Sequence, residues 1–383
     1  MHHRTLVGTL SLVLPLIAAC SVERAGSGDS AAATAAAPPA ASDSTRVPGQ
    51  TEDPFAADTL GLAQYAEPGA ADSARRDTLF DAITPEAVNA ATGQAAAADA
   101  LGPDVLHVQV QLDQAGFSPG IMDGYWGHNS TTALRAFQAA NGLPVTGTLT
   151  DEGRQRLAQL GAGRTPIVRY TVTADDVKGP FIDLPESPYE KAKLDCLCYE
   201  SAAEALSEKF HSTPQLLSQL NGGLDMASAR AGTQLWVPDV QRTVQPGTLA
   251  RVVVFKRGGF MQGLDSTGRV LFHFPSTLGN QYDPSPTGEF RIERIARDPE
   301  FHYNPKLYAE VPDWKEDAML NPGPNSPVGV VWMALNEPHY GIHGTAEPQT
   351  IGYANSHGCI RLTNWDAAWL ADHAKEGTEV TFR

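Results

Sequence analysis

A thiol, two imidazoles and several glycines lie within one short stretch near the C-terminus. They occupy residues 341–345 (GIHGT) and 356–362 (SHGCIRL). A cysteine attacks as the thiolate, and a nearby imidazole is the usual means of forming that anion at neutral pH. Glycine beside the cysteine lets the backbone bend so that its N–H groups can face a developing oxyanion. The two segments therefore predict covalent catalysis by Cys359.

The elements that must position this thiol lie in residues 246–383, where most of the sequence is typical of β-strands. Helix formation is indicated only near the end, where Thr363 or Asn364 can cap a helix that Gly377 terminates. We therefore expect a mostly-β domain with one late helix. The predicted strands, separated by Gly and Pro, are 251–256, 268–274, 289–292, 329–335 and 379–382.

The motif in this domain resembles the signature of the L,D-transpeptidase family, in its YkuD-type catalytic domain. The resemblance rests on residues 342–345 (IHGT) and 356–362 (SHGCIRL). Upstream segments of the domain fit the same family, namely 276–279 (STLG), 285–290 (SPTGEF), 325–329 (NSPVG) and Gly352.

The resemblance implies a role for each motif residue. Cys359 would be the nucleophile and His343 the base that holds it as thiolate and later protonates the leaving amine. The backbone carbonyl of Gly344 would orient the imidazole, and glycine there would permit a backbone angle that other residues resist.

The remaining motif residues are expected around the reacting carbonyl. The N–H groups of Gly358 and Cys359 would form the oxyanion hole, with His357 adjoining it. Arg361 and Ser356 are candidate substrate-binding residues. For Arg361, a stem carboxylate and a structural ion pair are equally good partners.

By the same resemblance, the donor is a peptidoglycan tetrapeptide stem, cut before its terminal D-alanine to leave a thioester. The acceptor stays open among a second stem, water and a protein lysine. These choices correspond to cross-linking, carboxypeptidase activity and protein anchoring in cell wall biogenesis. No cofactor and no metal are required.

Two smaller modules precede the catalytic domain. Residues 102–163 resemble a three-helix peptidoglycan-binding domain, through the loop 120–127 (GIMDGYWG) and the turn 142–147 (GLPVTG). Residues 167–240 resemble an α+β LysM module, which holds N-acetylglucosamine chains, but an insertion at 175–198 departs from the pattern. We therefore expect this region either to bind glycan or to act only as a spacer.

Cys196 and Cys198 lie in this insertion. The sequence leaves open whether they pair with each other, remain reduced or chelate metal, and we assign them no function.

The N-terminus reads as an export signal, residues 1–20. Its apolar stretch, residues 6–19, is too short for a comfortable membrane span. Small residues before Cys20 resemble the lipobox of bacterial lipoproteins, which implies lipidation of Cys20 and a membrane anchor. In that family the residue after the lipidated cysteine, here Ser21, implies sorting to the outer membrane of a two-membrane bacterium, on the periplasmic side of the envelope. The alternative is a secretory peptide cut after Ala19.

Residues 21–101 are rich in Ala, Ser, Asp, Pro and Thr and poor in large apolar side chains. Such a composition buries too little surface to offset the entropy of ordering, so we expect a disordered tether. The whole chain has 383 residues and a net charge of −16. This acidity argues against a nucleic-acid partner, which needs clustered Lys and Arg.

Two other functions compete with the transpeptidase. One is a non-catalytic peptidoglycan-binding lipoprotein that keeps an inactive catalytic fold. The other is a zinc peptidase that uses His343, His357 and Cys359. The single residue between the last two makes joint coordination awkward.

Overall fold

A computed structural model describes residues 70–161, 163–242, 247–280, 283–307 and 314–383. None of the helices in these ranges is both long and apolar enough to cross a membrane. The predicted signal segment with Cys20, and the tether up to residue 69, lie outside the described residues. The helices are α1 (Ala70–Asp81), α2 (Pro85–Ala90), α3 (Pro103–Gln114), α4 (His128–Ala140), α5 (Asp151–Leu160), α6 (Pro188–Lys191), α7 (Ala202–Lys209), α8 (Pro214–Leu220) and α9 (Asn364–His373).

The strands belong to one large sheet and three small ones. They are β1 (Ile167–Thr171), β2 (Gln234–Pro238), β3 (Arg251–Phe255), β4 (Phe260–Leu264), β5 (Val270–Pro275), β6 (Leu278–Gly279), β7 (Gly288–Arg297), β8 (Phe301–Tyr303), β9 (Ala318–Leu320), β10 (Val331–Leu335), β11 (Gly341–His343), β12 (Asn355–Ser356), β13 (Ile360–Arg361) and β14 (Glu379–Phe382).

The catalytic region is built on an eight-stranded sheet with the order β13-β11-β10-β7-β14-β3-β4-β5. Val252 of β3, Ile342 of β11 and Val380 of β14 are fully buried in its core, and Leu370 of α9 is buried with them. The expected mostly-β domain with one late helix is confirmed. The helix ends at His373 rather than near Gly377.

Residues 116–118 of the first module continue this sheet beyond its edge strand β5. The Ser118 N–H donates to the carbonyl of His273 at 2.9 Å, and the His273 N–H donates to Gly116 at 3.0 Å. An open edge would expose unpaired backbone groups, and this pairing satisfies them. The module therefore lies against the catalytic domain through backbone hydrogen bonds.

Apart from α6 in the insertion, the middle region folds as strand, helix, helix, strand (β1, α7, α8, β2), and β1 pairs antiparallel to β2. The 175–198 insertion ends in a disulfide between Cys196 and Cys198. Leu197, between the two cysteines, donates to the carbonyl of Pro322 at 2.9 Å and accepts from the Asn325 N–H at 3.0 Å. The insertion therefore binds the segment of the catalytic domain that leads into β10.

Residues 83–101 are folded, so the predicted tether is wrong for this part of the chain. Thr84 caps α2 by accepting from the Ala87 N–H at 3.2 Å. Ile83 and Val88 have no exposed surface, and they pack in a cluster with Leu106. The composition misled because these few apolar residues find their burial partners on the modules that follow.

A buried charge network joins the three folded regions. Arg242 lies 3.1 Å from Asp113 of α3 and also pairs with Asp366 of α9. His211 contacts Asp113 at 3.0 Å, and Ser118 donates to Asp366 at 2.8 Å. Burial by itself would raise the pKa of Asp113, but Arg242 and His211 lower it to about 2. Arg242 is therefore the cation that two buried carboxylates share.

Replacing Arg242 by methionine should destabilise the protein by about 3–5 kcal/mol, because both carboxylates would stay buried without their cation. Urea unfolding followed by circular dichroism measures the change. Arg297→Met is the matched control, since the Arg297–Asp372 pair is 49% and 61% exposed. That control should cost about 1 kcal/mol or less. Equal losses for the two variants would contradict the assigned role of Arg242.

Candidate active site

Two short parallel strands bring the predicted nucleophile and base to one face of the sheet. In the register of β11 and β13, Ile342 lies opposite Ile360 and His343 opposite Arg361. Cys359 directly precedes β13, and the charge of Arg361 acts on both the Cys359 thiol and the His343 imidazole. The Cys359 sulfur lies 3.4 Å from the carbonyl of His339, at the turn before β11.

His343 is held so that one ring nitrogen remains available as a base. It is 4% exposed, and its ring stacks on Trp332 with centroids 5.3 Å apart. Its Nδ1 lies 2.7 Å from the carbonyl oxygen of Gly344. A carbonyl can only accept a hydrogen bond, so Nδ1 carries the proton and Nε2 keeps its lone pair.

The pKa values of both groups favour their neutral forms. Burial lowers the pKa of His343 to about 4, although the Gly344 carbonyl opposes this, and the charge of Arg361 lowers it further. Burial raises the pKa of the partly exposed Cys359 thiol, against a backbone contact with Gly341 and the charge of Arg361. The resting site therefore contains a thiol and a neutral imidazole. These shifts favour the neutral pair over the thiolate that the sequence led us to expect.

Gly344 is required for space rather than for an unusual backbone angle. It is absent from the described residues with positive φ, so the expectation about its backbone is wrong. A Cβ placed on Gly344 would lie 2.1 Å from Oδ1 of Asn364. A Cβ on Gly329 would lie 1.9 Å from the same oxygen. The two glycines form the slot that the Asn364 side chain fills.

Asn364 is the residue of this site that the sequence did not indicate. Thr363 is the helix cap, since its hydroxyl accepts from the Asp366 N–H at 3.2 Å. Asn364 is therefore free to accept from the Val330 N–H at 3.2 Å and to donate to the Pro324 carbonyl at 3.1 Å. Helix propensity gave no signal for this role, because the partners come from a distant loop.

The turn before Cys359 is held by two buried hydroxyls. Ser356 donates to the Cys359 carbonyl at 2.5 Å and accepts from the Gly358 N–H at 3.2 Å. Ser285 donates to the Gly358 carbonyl at 2.8 Å, and Gly358 has a φ of +102°, which favours glycine.

This turn changes two of the expected roles. Ser356 is 2% exposed, so the structure places it inside the turn rather than on the substrate side. The Gly358 N–H, expected in the oxyanion hole, donates to the Ser356 hydroxyl in this structure. Among the described hydrogen bonds none uses the Cys359 N–H, which keeps it as a candidate donor.

The two other polar motif residues flank the thiol. His357 is exposed beside the turn, and Arg361 is partly buried. Arg361 affects the pKa values of both His343 and Cys359, so its charge lies close to both. Its Nε has no hydrogen-bond partner among the described residues.

Two regions of the chain match known protein families. Residues 250–382 match the family model described as "L,D-transpeptidase catalytic domain", and residues 102–163 match "Putative peptidoglycan binding domain". The chain is 32% identical over 178 residues to "Putative L,D-transpeptidase YkuD" of Bacillus licheniformis, which covers 46% of this chain and 91% of that protein. A Bacillus subtilis protein of the same name is 31% identical over 177 residues, with 46% and 90% covered.

The chain therefore belongs to the L,D-transpeptidase family. It is also similar to the solved structure of an L,D-transpeptidase from Xylanimonas cellulosilytica, with 17% identity and a TM-score of 0.33, covering 75% of this chain and 96% of that one.

The raised pKa of Cys359 predicts slow alkylation at neutral pH. Iodoacetamide should modify this residue with a rate that rises at higher pH than the rate for glutathione in the same buffers, because only the thiolate reacts. Intact-protein mass spectrometry at each pH gives the rate, with Cys359→Ala as the background. A rate that levels off below pH 7 would instead indicate a preformed thiolate–imidazolium pair.

Proposed function

We propose that this protein is a cysteine-dependent L,D-transpeptidase that acts on peptidoglycan tetrapeptide stems. The observation that carries the proposal is the tautomer of His343, whose Nε2 keeps its lone pair in a site where the Arg361 charge acts on both the imidazole and the thiol. A neutral imidazole beside a thiol can take its proton as the sulfur attacks. No cofactor enters this scheme.

The first half-reaction forms a thioester. The sulfur of Cys359 bonds to the donor carbonyl while its proton passes to Nε2 of His343. The C–N bond then breaks, and the same proton leaves on the amine of D-alanine. The Cys359 N–H stabilises the oxyanion, and Arg361, whose charge lies close to the thiol, binds a stem carboxylate.

The second half-reaction returns the free thiol. The amine of a neighbouring stem attacks the thioester carbonyl, His343 takes its proton, and sulfur leaves to recover that proton. This outcome forms a cross-link. Water in the same position would give an L,D-carboxypeptidase, and a protein lysine would give wall anchoring.

The accessory regions support a wall substrate. Residues 102–163 match a peptidoglycan-binding family, so we assign them to the polymer. The strand-helix-helix-strand order at 167–240 supports a LysM-like module, which we propose as a second glycan contact or a spacer. With lipidation at Cys20, the enzyme would act in the cell envelope on the periplasmic side, anchored to the outer membrane where the source has one.

The alternatives have less support. A non-catalytic wall-binding lipoprotein would not need the paired Nδ1–H contact and the slot for Asn364. For the zinc peptidase, the described His, Cys, Asp and Glu side chains include no group of three placed to hold a metal ion.

Replacing Cys359 by alanine should abolish release of D-alanine from a disaccharide-tetrapeptide, by a factor of about a thousand or more. Mass spectrometry of the protein should show a stem adduct on the wild-type chain and none on the variant. Both proteins should sediment equally with insoluble peptidoglycan. A wild-type chain that sediments but neither releases D-alanine nor gains an adduct would establish the non-catalytic alternative.

The lowered pKa of His343 sets the acid limb of the reaction. The base must be neutral to accept a proton, and its pKa is about 4. We therefore expect kcat/KM to stay level as pH falls through 6.5, the ordinary histidine pKa, and to decline only near pH 4. A pH profile of D-alanine release checks this, and a decline centred near pH 6.5 would contradict it.

A further inference from the structure

Helix α7 of the middle module reaches the back of the catalytic site. Two of its carboxylates contact buried asparagines of the catalytic domain. Glu204 accepts from Nδ2 of Asn325 at 2.8 Å, and Glu208 accepts from Nδ2 of Asn364 at 3.0 Å. The two contacts are alike in chemistry and length, but only the second one involves the residue that fills the slot beside Gly344.

The side-chain amide of Asn364 is fixed at both ends. Its Nδ2 donates to Glu208 and to the carbonyl of Pro324, and its Oδ1 accepts from the Val330 N–H. The residue is 2% exposed. Glu208 is the only side chain among these three partners, since Pro324 and Val330 contribute backbone groups, so it is the contact that a substitution can remove.

The Asn364 amide lies beside the residue whose carbonyl binds His343. Oδ1 of Asn364 occupies the space where a Gly344 Cβ would stand, and so lies against the Cα of Gly344. The Gly344 carbonyl in turn accepts from Nδ1 of His343 at 2.7 Å. A shift of the Asn364 amide would therefore reach the His343 imidazole through the backbone of one residue, Gly344.

We propose that Glu208 is a positioning residue for His343, acting through Asn364 and Gly344. The middle module would then complete the catalytic centre from behind, in addition to any contact with glycan. This inference rests on the proposed function, in which His343 is the base.

The Glu208 carboxyl is buried and is held by hydrogen bonds on both of its oxygens. Burial raises the pKa of this carboxyl to about 7, in spite of the hydrogen bonds from Asn364 and Tyr199. The Tyr199 hydroxyl donates to its other oxygen at 2.8 Å. Both oxygens are therefore used, and a glutamine could keep both contacts if the tyrosine hydroxyl turned to accept.

The test compares four variants of the full chain in D-alanine release. Glu208→Ala should lower kcat by about 10- to 100-fold, the range for a displaced catalytic group, and leave KM within about twofold. Glu208→Gln should restore most of the loss. Glu204→Ala is the matched control, because it removes an equivalent contact between the same two regions and should leave kcat nearly unchanged. Asn364→Ala should be as slow as Glu208→Ala or slower.

A double-variant cycle tests the route. If Glu208 acts through Asn364, the variant that carries both alanines should be no slower than Asn364→Ala alone. Independent losses that multiply would overturn the route. Equal losses in Glu204→Ala and Glu208→Ala would overturn the positioning role, because they would reflect the interface as a whole.

An NMR measurement that does not depend on enzyme activity separates this inference from the proposed function. In protein labelled with ¹⁵N-histidine, the Nδ1–H resonance of His343 should shift or vanish in Glu208→Ala and persist in Glu204→Ala. An unchanged resonance would overturn the positioning role even in an active enzyme. A wild-type chain with no activity, but with the predicted resonance change, would overturn the proposed function and leave the structural link in place.

Discussion

The hydrogen bond from His343 to the Gly344 carbonyl is the contact on which the rest of the site depends. It puts the proton on Nδ1 and leaves Nε2 as the base. Burial then keeps the ring neutral at physiological pH, since the pKa falls to about 4. In the mechanism that we propose, charge develops only when the thiol attacks the substrate, and the Cys359 N–H and Arg361 would stabilise it there.

That carbonyl is held in place by parts of the chain far from the motif. Asn364 fills the slot formed by Gly329 and Gly344, and Glu208 holds Asn364 from the middle module. On the nucleophile side, Asn129 of α4 donates to the carbonyl of Ile351, in the loop that precedes the cysteine turn, at 2.9 Å. The two accessory regions thus contact different loops of the catalytic centre. Arg242 joins them to the same domain through its shared carboxylates.

Strong local patterns made much of this predictable. The strand at 251–255, rich in Val, and the helix after Thr363 were evident from β-propensity and capping. The short strands β11 and β13, which carry the histidine and follow the cysteine, have only three and two residues. They have no periodicity to detect, because a strand that short is defined by its partners. The folding of residues 83–101 was missed because its few apolar residues are buried by residues from other parts of the chain.

From the sequence alone we could assign the family and name the candidate catalytic groups: a cysteine, a histidine and a glycine turn in a family pattern, preceded by a peptidoglycan-binding pattern. Local spacing is enough for this, because the nucleophile, its turn and the base lie close together along the chain. The structure was needed for three findings: the pKa shifts that favour a neutral thiol and imidazole, the buried Ser356 hydroxyl that binds the Gly358 N–H, and the slot that Asn364 fills. Each of these depends on desolvation or on hydrogen bonds between residues far apart in sequence, and neither can be read from neighbours along the chain.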